Sequence, residues 1–407
     1  PASCATWCRR PALVGRAQMY VDAGDFNAAR QECERIETVA ESTESNRQET
    51  VLRARSLEVQ SIIAESKGEF DRSRELAEES LELVREVDDR KGEASVLNGL
   101  GLLAWYQGDI DEAERRLRDA LSIFDEVESK RTESEVLNHL GIVQWERGDL
   151  GNAVEFFEAS HRQYRELGAQ QKAVSTSINL GVAARDRGAL DEAVGRLRGA
   201  VEEAQRLGVG KPESNANRAL GNTLRWRGAL DESAKHLAAA LDIARDEELR
   251  YQECTALRGL AATHRERGAF EKSARLLETC DELAAEVGDE RDRALARAHR
   301  GLLVLADGDA VEATEILGDA VETLESLDRS PGLARARRWH ARALEAAGEY
   351  EQARDAYEAA VDQYEAIGAS TYLRETLDEL SEVCERTGAD ETAATYRDRR
   401  DALEANN

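Results

Sequence analysis

Arginine side chains recur at a spacing of 40 residues in this 407-residue sequence. Arg185, Arg225 and Arg265 form one such series, and Arg218 and Arg258 form a second one. A guanidinium group donates two parallel hydrogen bonds to a carboxylate or phosphate, so a cluster of these side chains would bind an anion. The cluster forms only if the fold places residues that are 40 apart on one surface.

The same spacing relates Asn98 to Asn138 and Trp105 to Trp145. An asparagine amide both donates to and accepts from a peptide backbone. Tryptophan adds a large apolar contact area with few rotatable bonds. These residue types in this arrangement favour the binding of a peptide segment.

Sequence motifs of catalysis are weak in this chain. The segment Gly99–Ala104 imitates a dinucleotide-binding fingerprint, but no strand precedes it and its residues fit a helix. Gly210-Lys211-Pro212 lacks the hydroxyl residue that follows lysine in a phosphate-binding loop. We therefore expect neither enzymatic activity nor a cofactor.

Metal ligands are equally sparse. Cys4 and Cys8 would supply two zinc ligands, yet a structural zinc site needs four and no histidine lies near them in sequence. The six cysteines are scattered and form no disulfide framework. The sequence therefore predicts no metal site, and a reducing, cytoplasmic location.

The overall charge excludes several classes of partner. The chain has 82 Asp and Glu against 55 Lys and Arg, a net charge of −27. Such an acidic surface repels phosphate, so we expect no direct binding of nucleic acid. No apolar run is long enough for a transmembrane helix, so we expect no membrane contact. With 41% apolar residues and only four prolines, the composition favours long folded helices over disorder.

A repeated turn signal organises the whole sequence. Ten glycines, each followed by Asp, Glu or Ala, are 44 residues apart at the first step and 40 at every later one. They are Gly24, Gly68, Gly108, Gly148, Gly188, Gly228, Gly268, Gly308, Gly348 and Gly388. Apolar residues recur at helical spacing on both sides of each glycine, so each repeat predicts two helices with the glycine ending the first.

The repeats predict an all-α fold of about ten antiparallel helix hairpins. We expect an unstructured tail over residues 1–11, the helical array over 12–388, and a polar capping helix and tail over 389–407. Small residues recur seven before, five after and twelve after each turn glycine, as in Gly101, Ala113 and Ala120. Small side chains at fixed positions let two helices approach closely.

This pattern resembles the tetratricopeptide repeat, with the small triad on Gly101, Ala113 and Ala120 and the large residues on Leu100 and Leu117. The resemblance implies a right-handed α-solenoid, a superhelix of stacked hairpins. The period is 40 rather than about 34, and the closing proline of the family is missing. Both departures resemble the long-repeat variant of cell-polarity adaptors, kinesin light chains and maltose-regulator-like signalling ATPases. HEAT repeats and WD40 blades have similar periods, but they lack this turn and this composition.

The resemblance implies that the first helix of each hairpin lines the concave surface of the solenoid. Positions ten, six and three residues before each turn glycine then face away from the core. The predicted partner-binding residues are Asn98, Trp105, Asn138, Trp145, Arg185, Arg218, Asn222, Arg225, Trp226, Arg258 and Arg265. The alternative is that each of these arginines pairs with an Asp or Glu of an adjacent repeat.

These observations predict a non-catalytic protein–protein interaction scaffold that binds a peptide segment or a partner domain in its groove. The arginines favour a peptide with an acidic or C-terminal carboxylate segment. The alternative is the sensor or regulatory arm of a larger signalling ATPase, kinase or transcription activator whose catalytic part precedes Pro1. The lack of an initiating methionine favours that alternative. The sequence identifies neither the partner nor the oligomeric state.

Overall fold

A computed structural model describes residues 13–21, 25–42, 45–66, 69–124, 129–327, 331–366 and 370–405. These residues form α-helices joined by short turns, and they contain no strand. The predicted tail over residues 1–11, Cys4, Cys8, Gly24 and Gly68 lie outside the described residues.

The helices of the described residues form ten hairpins, as predicted. The first helices of the hairpins are α1 over residues 13–21, α3 Asn46–Ser66, α5 Arg90–Tyr106, α7 Lys130–Glu146, α9 Gln170–Asp186, α11 Gly210–Trp226, α13 Arg250–Glu266, α15 Glu290–Asp307, α17 Pro331–Ala347 and α19 Ser370–Arg386. The second helices are α2 Phe26–Glu41, α4 Phe70–Glu86, α6 Ile110–Phe124, α8 Leu150–Glu166, α10 Leu190–Leu207, α12 Leu230–Asp246, α14 Phe270–Val287, α16 Ala310–Leu327, α18 Tyr350–Ala366 and α20 Asp390–Ala405.

The chain divides into two compact units, a first unit up to Leu140 and a second unit from Gly141 onward. In the first unit α2 to α6 pack each against the next, and in the second unit α8 to α20 do the same. Each unit is therefore a stack of helix hairpins. The fold is an all-α solenoid, as the sequence predicts.

Left-handed backbone at glycine ends the first helices. The eight predicted turn glycines in the described residues have φ between 72° and 101°. Glycine adopts this conformation without a steric cost, which makes it the usual residue beyond a helix C-terminus. The next residue caps the second helix where it is aspartate, since Asp109 Oδ1 accepts a hydrogen bond from the Glu112 N–H at 3.0 Å.

The turn that joins one hairpin to the next contains glycine less consistently than the turn within a hairpin. Gly168, Gly208 and Gly288 have positive φ, but Asp88 and Glu248 adopt φ of 53° and 56° at the equivalent positions. A side chain in the left-handed region costs about 1 kcal/mol relative to glycine. The helical pattern of the sequence therefore continues through these turns although the turn glycine is missing.

The small residues lie where two helices of one hairpin touch. A Cβ added to Gly181 of α9 would be 2.6 Å from Cγ of Leu197 in α10, and Gly141 faces Phe157 of α8 in the same way at 2.5 Å. Ala193, five residues after the turn glycine, is fully buried. The close helix–helix approach that the sequence predicts is present.

Two glycines in neighbouring helices provide a matched test of this packing. Gly181→Ala should lower the free energy of unfolding by about 1–3 kcal/mol, because the new methyl group meets the fully buried Leu197. Gly195→Ala should raise it by about 0.5–1 kcal/mol, because nothing lies within 4 Å and alanine favours the helix. Denaturant titration followed by circular dichroism measures both changes. Equal stabilisation by the two substitutions would show that the contact between Gly181 and Leu197 is loose.

In the second unit the first helices also touch one another, α9 with α11, α11 with α13, α13 with α15 and α15 with α17. We call the surface made by these five helices the first-helix surface. Residues that are 40 apart on these helices therefore lie side by side on it. This arrangement brings together the arginine series of the sequence.

Candidate functional site

Three of the predicted binding residues belong to the first unit. Asn98 of α5 accepts a hydrogen bond from Nδ1 of His139 in α7 at 2.8 Å. The rings of Trp105 and Tyr106 are 4.9 Å apart, and Asn138 is half-buried. The two asparagines and Trp105 are thus partly accessible, and their role in binding stays a prediction.

In the second unit, one carboxylate orders several of the predicted residues. Asp186 accepts hydrogen bonds from Nε1 of Trp145 at 2.8 Å and from Nε and Nη2 of Arg185 at 2.7 and 3.1 Å. The guanidinium of Arg185 also lies 5.1 Å from the ring centre of Trp226, a cation–π contact. The Arg185 charge is therefore compensated and its side chain is fixed.

A cavity of about 920 Å³ lies beside this group, entirely within the second unit. It is lined by Arg147, Gly148, Asp149, Leu150, Gly151, Arg185, Asp186, Arg187, Gly188, Leu190, Trp226, Arg374, Glu375 and Leu403. Its volume falls in the range of about 300–1,000 Å³ that is typical of ligand pockets. Among the predicted residues it contains Arg185 and Trp226, while half-buried Asn222 lies elsewhere on α11.

Two further predicted arginines share one carboxylate. Arg225 of α11 hydrogen-bonds Glu266 through Nη1, and Nη2 of Arg265 in α13 is 3.9 Å from the same carboxylate. Burial lowers the pKa of Arg265, and the neighbouring charges of Arg225 and Arg342 lower it further while Glu266 opposes them. The single carboxylate of Glu266 therefore compensates only one of the two positive charges of Arg225 and Arg265.

The positive charge of Arg258 is compensated by the carboxylate of Asp292. Its Nη1 donates to Oδ1 of Asp292 in α15 at 2.6 Å, and the side chains of the two residues are only 12% and 5% exposed. Burial of such a pair costs desolvation on both sides, so its members depend on each other. Arg258 thus has a structural function in addition to any contact with a partner.

Arg218 differs from the other four predicted arginines. It forms no ion pair with any carboxylate of the described residues, and its Nε is buried without a hydrogen-bond partner. Burial lowers its pKa, the phenol of Tyr251 opposes this effect, and the charges of Arg258 and Arg185 add to it. Arg218 is therefore a half-buried cation on the first-helix surface, with a buried Nε and no carboxylate partner among the described residues.

The structure adds two basic side chains that the sequence did not single out, His299 of α15 and Arg335 of α17. Trp339 joins them, since its ring centre is 5.0 Å from that of His299 and 5.5 Å from the Arg335 guanidinium. Arg335 Nε and His299 Nδ1 are both buried without a hydrogen-bond partner among the described residues. His299 and Trp339 lie nine residues before their turn glycines, one residue after the position ten before the glycine that the sequence analysis used. A prediction that included neighbouring positions on the helix would have found them.

The pKa of His299 is well below its ordinary value. Burial is the main cause, and the charges of four arginines add to it. These arginines are Arg258, Arg335, Arg265 and Arg225. His299 is therefore neutral near pH 7, in the middle of a positively charged region.

We define the arginine cluster as Arg218, Arg225, Arg258, Arg265 and Arg335, with His299 among them. Its hydrogen-bonded carboxylates are Asp292 and Glu266. Five guanidinium groups against two hydrogen-bonded carboxylates leave three guanidinium charges without a hydrogen-bonded carboxylate of their own among the described residues. The cavity adjoins the cluster at Arg185, whose charge acts on Arg218.

Several contacts between the first helices of the second unit join residues that are 41 apart in sequence, which is one repeat plus one residue. Trp145 with Asp186, Arg225 with Glu266 and Arg338 with Glu379 follow this rule. The alternative reading of the sequence, pairing between adjacent repeats, therefore describes several of these side chains. Counting opposite charges at this separation is the signal that would have found Glu266.

In the part of the chain that the structure describes, no three or more His, Cys, Asp or Glu side chains are grouped so that they would hold a metal ion. None of the described helices has the length and apolarity needed to cross a membrane.

The hairpin stack, its glycine turns and its small-residue contacts define a helical-repeat protein. Two family models of the tetratricopeptide repeat match residues 52–126 and 98–167. The hairpin geometry of this segment recurs along the described chain, so the described residues have the fold of a tetratricopeptide-repeat solenoid. No curated protein sequence matches it.

Three solved structures illustrate this similarity of fold. A Rap protein complexed with Competence and Sporulation Factor has 16% identity and a TM-score of 0.64, covering 88% of this chain and 98% of its own. The apo quorum sensor NprR from B. thuringiensis has 13% identity and a TM-score of 0.60, covering 87% and 98%. The Rap conjugation gene regulator of plasmid pLS20, in complex with a Phr peptide, has 16% identity and a TM-score of 0.57, covering 88% and 95%. At these identities the likeness is one of fold.

Proposed function

We propose that this protein is a non-catalytic interaction scaffold that binds a peptide segment on the first-helix surface of its second unit. The arginine cluster holds an acidic side chain or the C-terminal carboxylate of that peptide. The chain carries −27 overall, so a local excess of positive charge is what gives an anionic segment a favourable place to bind.

The observation that carries this proposal is the set of buried guanidinium nitrogens without partners. The Nε atoms of Arg218, Arg225 and Arg335 are buried and make no hydrogen bond within the described residues. Buried polar atoms in folded proteins almost always have a partner. A ligand carboxylate would supply acceptors to these groups and neutralise part of the excess charge.

The solved structures of similar fold support a peptide as the ligand. Two of them hold a named peptide or factor, the Phr peptide and Competence and Sporulation Factor. In this chain, the cavity beside Arg185 provides both an aromatic surface on Trp226 and charged groups on Arg374 and Glu375. A peptide bound there would reach the arginine cluster with its acidic group.

The regulatory-arm alternative would use the same surface, because a sensor also has to bind a partner. The coding sequence upstream of Pro1 tests it. A phosphate-binding loop or kinase signature in that sequence would refute the stand-alone scaffold and favour the regulatory arm.

An array of acidic, neutral and basic peptides, each with a free or an amidated C-terminus, tests the proposal. The Arg218→Gln/Arg335→Gln variant should weaken binding of acidic or free-carboxylate peptides by at least about tenfold, the loss expected for charge-assisted hydrogen bonds. Added salt should weaken binding too, since exposed charges are screened over about 8 Å at physiological ionic strength.

The matched control is Arg198→Gln/Arg206→Gln, which removes two exposed charges from the second helix α10 of the same unit. It should bind like the wild type. Unchanged affinity in Arg218→Gln/Arg335→Gln, or selection of basic peptides by the wild type, would refute the proposal. Circular dichroism shows whether each variant keeps its helices.

A further inference from the structure

Two titratable side chains, His299 and Glu146, act on the arginine cluster from different helices of the second unit. His299 lies on α15, and Glu146 is the last residue of α7. Both are half-buried. Their charge states therefore change the electrostatic potential at the place where we propose that an anion binds.

His299 is surrounded by cations and by one aromatic ring. Arg225 of α11, Arg258 and Arg265 of α13 and Arg335 of α17 all act on it, and Trp339 of α17 packs edge-on against its ring. The buried Nδ1 has no partner among the described residues. An anion bound between these arginines would cancel their repulsion and would accept a hydrogen bond from a protonated imidazole.

Glu146 is placed beside Trp145, whose indole N–H is held by Asp186. The Glu146 carboxyl forms no hydrogen bond or ion pair within the described residues, and its charged neighbours are Arg335 of α17 and Asp186 of α9. Burial raises the pKa of Glu146 to about 7, Arg335 opposes the shift and Asp186 adds to it. This carboxyl group therefore changes charge close to neutral pH.

We propose that anion binding at the arginine cluster is coupled to protonation of Glu146 and His299, so that the protein holds an acidic ligand more tightly as the pH falls. This inference rests on the proposed function, because it concerns the regulation of the same site. It assigns to Glu146 the role of an internal anion that competes with the ligand for the positive charge of Arg335.

Protonation of Glu146 and protonation of His299 both raise the affinity for the anion. Above about pH 7 Glu146 is ionised, offsets the Arg335 charge and repels an incoming anion. Below that pH Glu146 is neutral and the full charge of Arg335 attracts the ligand. His299 is neutral in the free protein and gains a proton only when an anion is bound. For each fully coupled proton the affinity rises about tenfold per pH unit between the pKa values of the free and the bound states.

Inorganic sulfate is a suitable probe, because it is a dianion whose charge is constant near neutral pH. Isothermal titration calorimetry of the full chain at constant ionic strength, at about pH 6 and about pH 8, should show binding at least about tenfold tighter at the lower pH. Repeating the titration in buffers of different ionisation enthalpy counts the protons taken up. The wild type should take up protons on binding.

Three variants separate the contributions of Glu146 and His299 to the pH dependence of sulfate binding. Glu146→Gln should bind sulfate at about pH 8 nearly as tightly as the wild type does at about pH 6, because the competing charge is gone. His299→Gln should take up fewer protons. Glu202→Gln, an exposed carboxylate change on α10, is the matched control and should retain the full pH dependence.

Equal affinity of the wild type at the two pH values, without proton uptake, would overturn the coupling and leave the peptide proposal standing. Full pH dependence in Glu146→Gln would overturn the role of Glu146. No sulfate binding at either pH would overturn the anion site itself, and with it the carboxylate part of the proposed function. Circular dichroism of each variant at both pH values distinguishes these results from unfolding.

Discussion

Replacing Phe157 with alanine is expected to lower the free energy of unfolding by about 3–5 kcal/mol. Phe157 of α8 is 2% exposed and packs with Ala153, Leu180 and Ala183. Its ring fills the space above Gly141, where no Cβ would fit. Removal of the ring leaves a cavity between rigid helices, so the loss includes both the apolar transfer free energy and the cavity term. Denaturant titration measures the change.

Phe156 is the matched control for this prediction. It is the preceding residue of the same helix, but it is only half-buried. Phe156→Ala removes the same atoms from a site that water already reaches, so its cost should be clearly smaller. Equal losses for Phe156→Ala and Phe157→Ala would mean that the Gly141 contact is not a close-packed one.

The second large effect is expected at the buried ion pair of Arg258 and Asp292. Asp292→Asn leaves the Arg258 guanidinium buried without a counter-charge, which should cost about 3–5 kcal/mol of the free energy of unfolding. The side chains are 12% and 5% exposed, and their atoms are 2.6 Å apart. Denaturant titration near neutral pH measures this loss.

Two comparisons decide the cause of that loss. Glu75→Gln breaks the exposed pair with Arg72, whose side chains are 69% and 58% accessible, and should change stability little. The double variant Arg258→Leu/Asp292→Leu should recover most of the stability that Asp292→Asn loses, because no buried charge remains. If the double variant is as unstable as Asp292→Asn, the loss comes from packing rather than from the unpaired charge.

The hairpin architecture follows from short-range features that are visible in the chain itself. Glycine ends a helix wherever the backbone turns left-handed, as at Gly188, with φ of 81°. Apolar residues at helical spacing determine the buried face. Small residues at fixed distances from the turn, such as Gly181 and Ala193, set the helix contact. All of these signals lie within one repeat, so the sequence by itself predicted the hairpin fold, whereas the binding role of the first helices came from the family resemblance.

The charge state of the candidate site was decided by the tertiary structure. The five predicted arginines look equivalent in sequence, yet Arg258 is neutralised by a carboxylate 34 residues away and Arg218 has none among the described residues. Arg335 and His299 joined the cluster because α15 and α17 pack beside α13 and α15. Helical periodicity gives the face on which a side chain lies. The Coulomb energy of that side chain depends on distances to charges in other repeats and on its burial, and only the packed helices determine both.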